Sequence, residues 1–401
     1  MSGDQPSGTV LFVEDDEELL CSLQRTFEKE NGVFIYCTSV CDALEVLRNQ
    51  PVDVVATDLR LRDEDSVAFL QRAESLLDAT HTIVFGSSNE LDTVMELLAR
   101  GYADQHLLKP WRKSELRTVI RDALRLQRQL KEDKLQEVLR TFNNLPSSTR
   151  LRNRISSLLG SDECSVVEVA REVERDPALL AMVLRIANSV AISASRQITS
   201  AHDALVLLGI RHVRTLVALA EYQQSMRNTA TPHTARRVEA FWSQAIRRSM
   251  IAKRLSTVWE NITDPSLVYL TALFLDIGYL VRICTEQKRF EEMLQLSNTE
   301  RISLFHADLM LFSIPHDQVG GALLELWNFP REVIFAVANH HGDSFGDALT
   351  QLVQVADALV SPEPSGPYDH SLQPVISSWK TTLAATPVFE GSVFQASGSE
   401  G

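Results

Sequence analysis

The chain is expected to fold as two units: a doubly wound α/β domain with a parallel five-stranded sheet, then an all-helical domain. Three observations carry this expectation. Short β-branched apolar runs alternate with amphipathic stretches over residues 9 to about 125, the alternation stops after Leu145-Pro146, and 401 residues exceed what one typical core accommodates.

The apolar runs are Thr9-Val13, Val33-Tyr36, Val52-Thr57, Thr82-Gly86 and His106-Leu108. Between them, apolar residues recur at helical spacing, as in Leu19, Leu20, Leu23 and Phe27. Parallel neighbours need crossover helices, so strands alternating with helices imply a parallel sheet, and ligands of such sheets bind at the carboxyl ends of the strands. Residues 1–8 are expected to be a flexible N-terminus and 9–125 the α/β domain. From Lys113 to about Phe142 there is no Pro or Gly, and Leu116, Ile120, Leu124 and Leu130 recur, which predicts one helix over 113–142 that closes the domain and continues as a charged connector. Its apolar repeat is too irregular to specify a coiled coil, and a solvated connector is preferred.

Residues 143–360 read as helices only, with stops at Gly160, Asp176-Pro177, Gly209, Asp264-Pro265, Pro315 and Pro330. Beyond Pro362 the composition turns to Ser, Gly and Pro, and 361–401 is expected to be a partly disordered tail.

The composition excludes several classes. A formal charge of −14 opposes nucleic-acid binding, and the short clusters Arg236-Arg237 and Arg247-Arg248 read as solvated helix faces. Five cysteines with no CxxC pair argue against a disulfide framework or zinc module and fit a reducing cytoplasm. No signal peptide opens the sequence and no uninterrupted apolar run reaches about 18 residues, so a cytoplasmic protein without membrane contact is expected.

Three carboxylates fall at strand ends: Glu14 and Asp15 after the first run, Asp58 after Val54-Val55-Ala56-Thr57. Two like charges about 4 Å apart repel by about 4 kcal/mol at an effective dielectric near 20, so such a cluster calls for a cation or raised pKa values. Oxygen ligands at an open site favour a hard ion, and Mg²⁺ suits phosphate chemistry; an acidic surface rim is the alternative. Ser87 and Lys109 end the fourth and fifth runs. A hydroxyl, an ammonium and a divalent ion around one carboxylate can stabilise an acyl phosphate.

Val13-Glu14-Asp15-Asp16, Asp58 with Asp65-Ser66, Ser87-Ser88 and Leu108-Lys109-Pro110-Trp111 resemble the signature of response-regulator receiver domains, whose fold is flavodoxin-like. The resemblance implies that Asp58 accepts a phosphoryl group from a sensor histidine kinase or phosphotransfer protein. It also implies that Glu14, Asp15 and Asp58 hold Mg²⁺ with the Arg60 backbone carbonyl, that Lys109 contacts the phosphate across a cis Lys109-Pro110 peptide, and that Ser87 and His106 move as the switch pair. Arg62 stands where the family usually has Pro, and Ser66 where it usually has Gly.

The helical half resembles the HDOD domain, a relative of the HD phosphohydrolases. The pieces are Asp176-Pro177-Ala178-Leu179, Leu184-Arg185-Ile186-Ala187-Asn188-Ser189, Ile198-Thr199-Ser200, Leu207-Leu208-Gly209-Ile210-Arg211, Leu275-Asp276-Ile277-Gly278, His316-Asp317-Gln318-Val319-Gly320, Trp327-Asn328-Phe329-Pro330 and His340-His341. By that resemblance Gln244 and Leu275 replace the two histidines of an active HD enzyme, while Asp276 and Asp357 match its carboxylates. Asp276, His316, His340 and His341, with Asp357, form a possible vestigial HD metal site, although no cofactor is expected in this half. Gly342-Asp343-Ser344-Phe345-Gly346 lacks a Gly-Tyr-Pro loop, so cyclic di-GMP hydrolysis is not expected. Trp242, Trp259 and Trp327 read as core, and Asn188-Ser189 as a helix end with a capping role.

The resemblance therefore implies a two-component response regulator in which phosphorylation at Asp58 controls a non-catalytic output acting on a downstream protein or through a homodimer. The alternatives are a phosphohydrolase with an unusual single-metal site and a DNA-binding transcriptional regulator. The latter is disfavoured by the acidic charge and the lack of a basic recognition helix.

Overall fold

The structure, a computed structural model, describes residues 8–132 apart from 78–79, isolated positions between 135 and 158, then 164–190, 197–226, 231–259, 262, 264–342, 347–360 and 376–377. The expected N-terminal arm, the connector and coiled-coil question beyond Glu132, the stop at Gly160, the loop over Asp343–Gly346 and nearly all of the tail lie outside the described residues.

The first half runs β1 (Thr9–Val13), α1 (Glu17–Phe27), β2 (Val33–Cys37), α2 (Val40–Asn49), β3 (Val54–Asp58), α3 (Ser66–Ala73), β4 (His81–Gly86), α4 (Leu91–Arg100), β5 (Gln105–Leu108) and α5 (Lys113–Glu132). All strands are parallel, in the order β2-β1-β3-β4-β5. Alternate strand residues feed two cores. Val10, Phe12, Val54, Ala56, Ile83 and Phe85 pack with α1 and α5, while Leu11, Val13, Val55 and Val84 pack with α2, α3 and α4. Burial on both faces explains why these strands read as nearly continuous apolar runs. Short polar side chains start the helices: Asp16 accepts from Glu18 and Leu19 N–H, Ser39 from Asp42 N–H, and Asp65 from Ala68 N–H.

Thereafter the described elements are helical: α6 (Val166–Arg175), α7 (Pro177–Val190), α8 (Ala201–Leu208), α9 (Ile210–Met226), α10 (Pro232–Leu255), α11 (Pro265–Phe274), α12 (Ile277–Thr285), α13 (Gln287–Glu300), α14 (Leu304–Leu311), α15 (His316–Leu326), α16 (Arg331–Asn339) and α17 (Ala348–Val360). Most of the expected stops act as caps. Asp176 accepts from Ala178 and Leu179 N–H, Asp264 from Ser266 N–H, and Gly209 takes φ +83° between α8 and α9, a conformation that favours glycine. Trp242 and Trp327 are buried as expected and Trp259 is partly so.

The stretch Pro265–Thr285 is long and apolar enough by composition to cross a membrane, with mean hydropathy 1.8. Its most apolar 18-residue window is nevertheless 83% buried, and the stretch is divided between α11 and α12 at Leu275-Asp276.

The two halves share one apolar cluster, which passes from Leu97, Leu98 and Ala103 to Leu179, Leu184 and Val213. Helix α4 packs against α9, and α7 lies along β5, the edge strand of the sheet.

Candidate functional site: the carboxylate pocket and its link to the helical half

The register Val13↔Thr57, Asp58↔Phe85 and Gly86↔Leu108 brings the strand ends together, so the residues that follow them converge. Glu14, Asp15 and Asp58 each offer a carboxylate oxygen within 4.8 Å of the others. Glu14 is 1% exposed. Its burial, followed by the nearby Asp58 charge, raises its pKa against the opposing effect of Lys109. Lys109 Nζ lies 2.9 Å from Asp58 Oδ1 and 3.3 Å from Glu14 Oε2. Burial works against its charge, but the bond to Asp58 and the two carboxylates raise its pKa overall. The Lys109-Pro110 peptide is cis. One ammonium cannot balance three carboxylates, and the all-oxygen donor set fits a hard divalent ion such as Mg²⁺.

Arg62 N–H donates to Asp15 Oδ2 at 2.9 Å, with the guanidinium Nε 3.3 Å from the same oxygen. A proline at 62 has no N–H to make this bond. Ser66 is fully buried at the start of α3, and Asp65 caps that helix. Arg60 bridges to Asp65 through its backbone and sends its side chain to Glu90 Oε1 at 2.6 Å.

Ser87 does not face Asp58 through a hydrogen bond in this conformation. Its hydroxyl donates to Glu90 Oε2 at 2.7 Å, and its N–H donates to the same oxygen at 2.8 Å. Partial burial works to raise the Glu90 pKa, but the two Ser87 bonds and Arg60 hold it below the usual carboxylate range. His106 is fully buried on β5, with Nε2 3.3 Å from the Gly86 carbonyl next to Ser87. Burial pushes its pKa down to about 4, so the ring is neutral near pH 7 and donates from Nε2.

The β5 edge is where the halves meet. His106 N–H donates to Ser189 Oγ at 2.8 Å, and the buried Arg185 donates from Nη2 to the Leu98 carbonyl near the end of α4. Asn188 braces its own half: its amide donates to Ile198 O at 3.0 Å and its carbonyl accepts Ile198 N–H at 2.7 Å. The capping role expected for Asn188-Ser189 is thus corrected. The pair does lie near the end of α7, but Ser189 completes the edge strand of the other half. Sequence reasoning missed this because an edge strand's need for a partner shows only once the sheet order is known.

In the helical half, Asp276, His316, His340 and His341 come together, all buried. Asp357 falls outside this group. It and Asp276 bind the two sides of Arg248 Nη1, at 2.6 Å for Asp357, and Arg248 is 1% exposed. Burial works against the Arg248 charge, but the two carboxylates raise its pKa overall. The expectation that Arg247-Arg248 is a solvated face therefore holds for Arg247 alone, and Gln244, placed at the first histidine position, is exposed one turn earlier. A guanidinium now binds the two carboxylates. Helical periodicity could have flagged it, since Arg248 shares the buried stripe of Ala245, Ser249 and Ala252 on α10.

Residues 10–121 match the family model described as Response regulator receiver domain, and residues 145–342 match that of the HDOD domain. The chain joins a receiver domain to an HDOD domain. The chain is 29% identical over 126 residues to the hydrogenase transcriptional regulatory protein HoxA of Bradyrhizobium diazoefficiens, covering 31% of this chain and 26% of that protein. It is 25% identical over 117 residues to sporulation initiation phosphotransferase F of Bacillus subtilis, covering 29% of this chain and 94% of that protein. An uncharacterized protein of Treponema pallidum is 19% identical over 203 residues, 50% of this chain and 38% of its own length. The chain thus spans 26% and 38% of the length of two curated relatives it matches. Among solved structures, the MmoQ response regulator of Methylococcus capsulatus is 23% identical over 58% of this chain and 98% of its own, at a TM-score of 0.43. An HDOD domain protein of Geobacter sulfurreducens is 23% identical over 65% of this chain and 89% of its own, at a TM-score of 0.36.

Proposed function

We propose that this two-component regulator accepts a phosphoryl group on Asp58 and uses it to loosen its HDOD domain from the edge of the receiver sheet, the HDOD domain acting as a non-catalytic, protein-binding output. The single observation that carries this reading is the pair of His106 contacts that joins the backbone beside Ser87 to Ser189 of the HDOD domain. Ser87 follows β4, the His106 ring touches the carbonyl of the preceding Gly86, and the His106 N–H is held by the HDOD domain.

Mg²⁺ held by Glu14, Asp15, Asp58 and the Arg60 carbonyl would neutralise the carboxylates and the incoming phosphoryl oxygens. The donor is the phosphohistidine of a sensor kinase or a phosphotransfer protein: an Asp58 oxygen forms the new P–O bond as the donor's P–N bond breaks. Lys109, already 2.9 Å from Asp58, turns to the phosphoryl oxygens. Ser87 gives up Glu90 to donate to the same group, and His106 follows into the vacated volume, straining the Ser189 bond. The phosphate can shift the domains only by its differential stabilisation of the two arrangements.

Two features support a non-catalytic output. Arg248 binds the Asp276 and Asp357 carboxylates, and the nearby histidine cluster is buried. The acidic balance of 53 Asp and Glu to 39 Lys and Arg disfavours a nucleic-acid target. A downstream protein or a second copy of the chain is the proposed partner.

The test is small-angle scattering of wild type and Asp58→Ala with Mg²⁺ and beryllofluoride, a phosphoryl mimic. The expected result is a larger radius of gyration or a change of oligomer for wild type alone. Superimposable profiles with and without the mimic, under conditions where it binds, would sink the coupling.

A further inference from the structure

We propose that Asp276, His316, His340 and His341 form a closed, mononuclear structural site for a borderline transition-metal dication of the zinc type. His316 donates from Nδ1 to Asp308 Oδ2 at 3.0 Å, and His340 donates from Nδ1 to the Val337 carbonyl at 2.7 Å. With Nδ1 engaged in this way, the neutral form of each ring presents its Nε2 lone pair inward, the second-shell arrangement that metal-binding histidines use.

The atoms facing one another inside have the spacing a metal requires. His316 Nε2 lies 3.3 Å from Asp276 Oδ1, His340 Nε2 lies 3.4 Å from the same oxygen, and His341 Nε2 lies 3.2 Å from His316 Nε2. Four ligands at about 2.0–2.1 Å from a tetrahedral centre are about 3.3 Å from each other. Three of the edges therefore already have the length of a ligated tetrahedron.

Asp276 Oδ1 and His340 Nε2 are buried without a hydrogen bond, an arrangement that native interiors avoid unless something else binds there. Asp276 is divided between two roles, with Oδ2 on Arg248 and Oδ1 facing the histidines. Charge points the same way: Asp276, Asp308 and Asp357 outnumber Arg248 and Arg282, the guanidiniums they bind, leaving the cluster negative for a cation.

The fold holds the ligands close. A Cβ on Gly278 would stand 1.9 Å from the His316 carbonyl, so glycine is what lets the start of α12 meet the start of α15. Tyr279 stacks on His316 at 3.6 Å and Phe305 on His341 at 4.0 Å, walling the cluster from water. Three imidazoles and one carboxylate are a poor set for Mg²⁺ or Ca²⁺ and a good one for Zn²⁺. Four protein ligands leave no open position, so the ion would bind the α11–α12 turn, α15 and the end of α16 together and would hydrolyse nothing.

The test uses the full chain, stripped with chelator and kept in excess Mg²⁺ so that the receiver pocket does not compete. Titration with Zn²⁺ against a chromophoric competitor should give one equivalent per chain and raise the melting temperature. Co²⁺ should give the intense visible absorption of a tetrahedral N/O site, which an all-oxygen octahedral site does not. His340→Gln should abolish both signals, and Asp308→Asn should weaken affinity about 10–100-fold. The wild-type Co²⁺ spectrum and Zn²⁺ stoichiometry decide the matter even if a variant fails to fold. Less than about a tenth of an equivalent, a weak octahedral spectrum, or undiminished affinity in a folded His340→Gln would overturn the site and leave a hydrogen-bonded polar cluster.

Discussion

Arg248 shows how much one buried side chain can decide. It binds one carboxylate oxygen of Asp276 and one of Asp357 at once, and removing one partner from such a group costs about 3–5 kcal/mol because the other charges are left buried and unpaired. Arg248→Met should therefore lower stability by that amount in urea denaturation, and adding Asp357→Asn should recover part of it. A loss below about 1 kcal/mol would show that the ion pair is not formed in solution. His106 offers a pH test with a definite sign. Its folded pKa of about 4 lies below the ordinary 6.5, so between these values the unfolded chain binds the extra proton. Stability should fall by about 3 kcal/mol as pH drops through that window, and His106→Phe should remove that part of the slope. A ring that titrates near 6.5 by NMR would contradict the burial that sets the shift. At this scale the convergence of Glu14, Asp15, Asp58 and Lys109 was legible in the sequence because each follows an apolar run, whereas the bond of Ser87 to Glu90 was not. The burial of Arg248 was signalled only by its place on the apolar stripe of α10, and its partners Asp276 and Asp357 show only once the facing helices are placed.

Elements carry the coupling through β5 and α7. The strand is the sheet's edge, and its His106 N–H is satisfied by Ser189 of the HDOD domain, while Arg185 satisfies a carbonyl of α4. Ser189→Ala leaves that buried N–H without its partner, which should cost about 1–3 kcal/mol of domain docking and speed amide exchange along β5. The exposed pair Arg211 and Asp92 bridges the same interface at 2.9 Å, with side chains 82% and 59% exposed, and a double-mutant cycle on it should give under about 1 kcal/mol. A reversed ranking would mean that surface charge, and not the strand edge, holds the domains. The five strands were readable to within about two residues, because burial on both faces leaves a continuous apolar run. The helical half was readable as helices with caps at Asp176, Asp264 and Pro315, but which helix lies beside β5 was not, since helical periodicity records that a face is buried without naming what covers it.

For the whole molecule, the apolar cluster shared by receiver and HDOD domains makes their docking a packed interface, and a ligand must work against that packing. Phosphorylation is predicted to shift this equilibrium and not to build a new active site. The most direct test is hydrogen exchange of the peptide containing the His106 amide, with and without beryllofluoride and Mg²⁺, in wild type and Asp58→Ala. The predicted result is at least about tenfold faster exchange at β5 and at the end of α7 in wild type only, equivalent to about 1.4 kcal/mol of lost docking. Unchanged protection of that amide with the phosphoryl mimic bound would contradict the account.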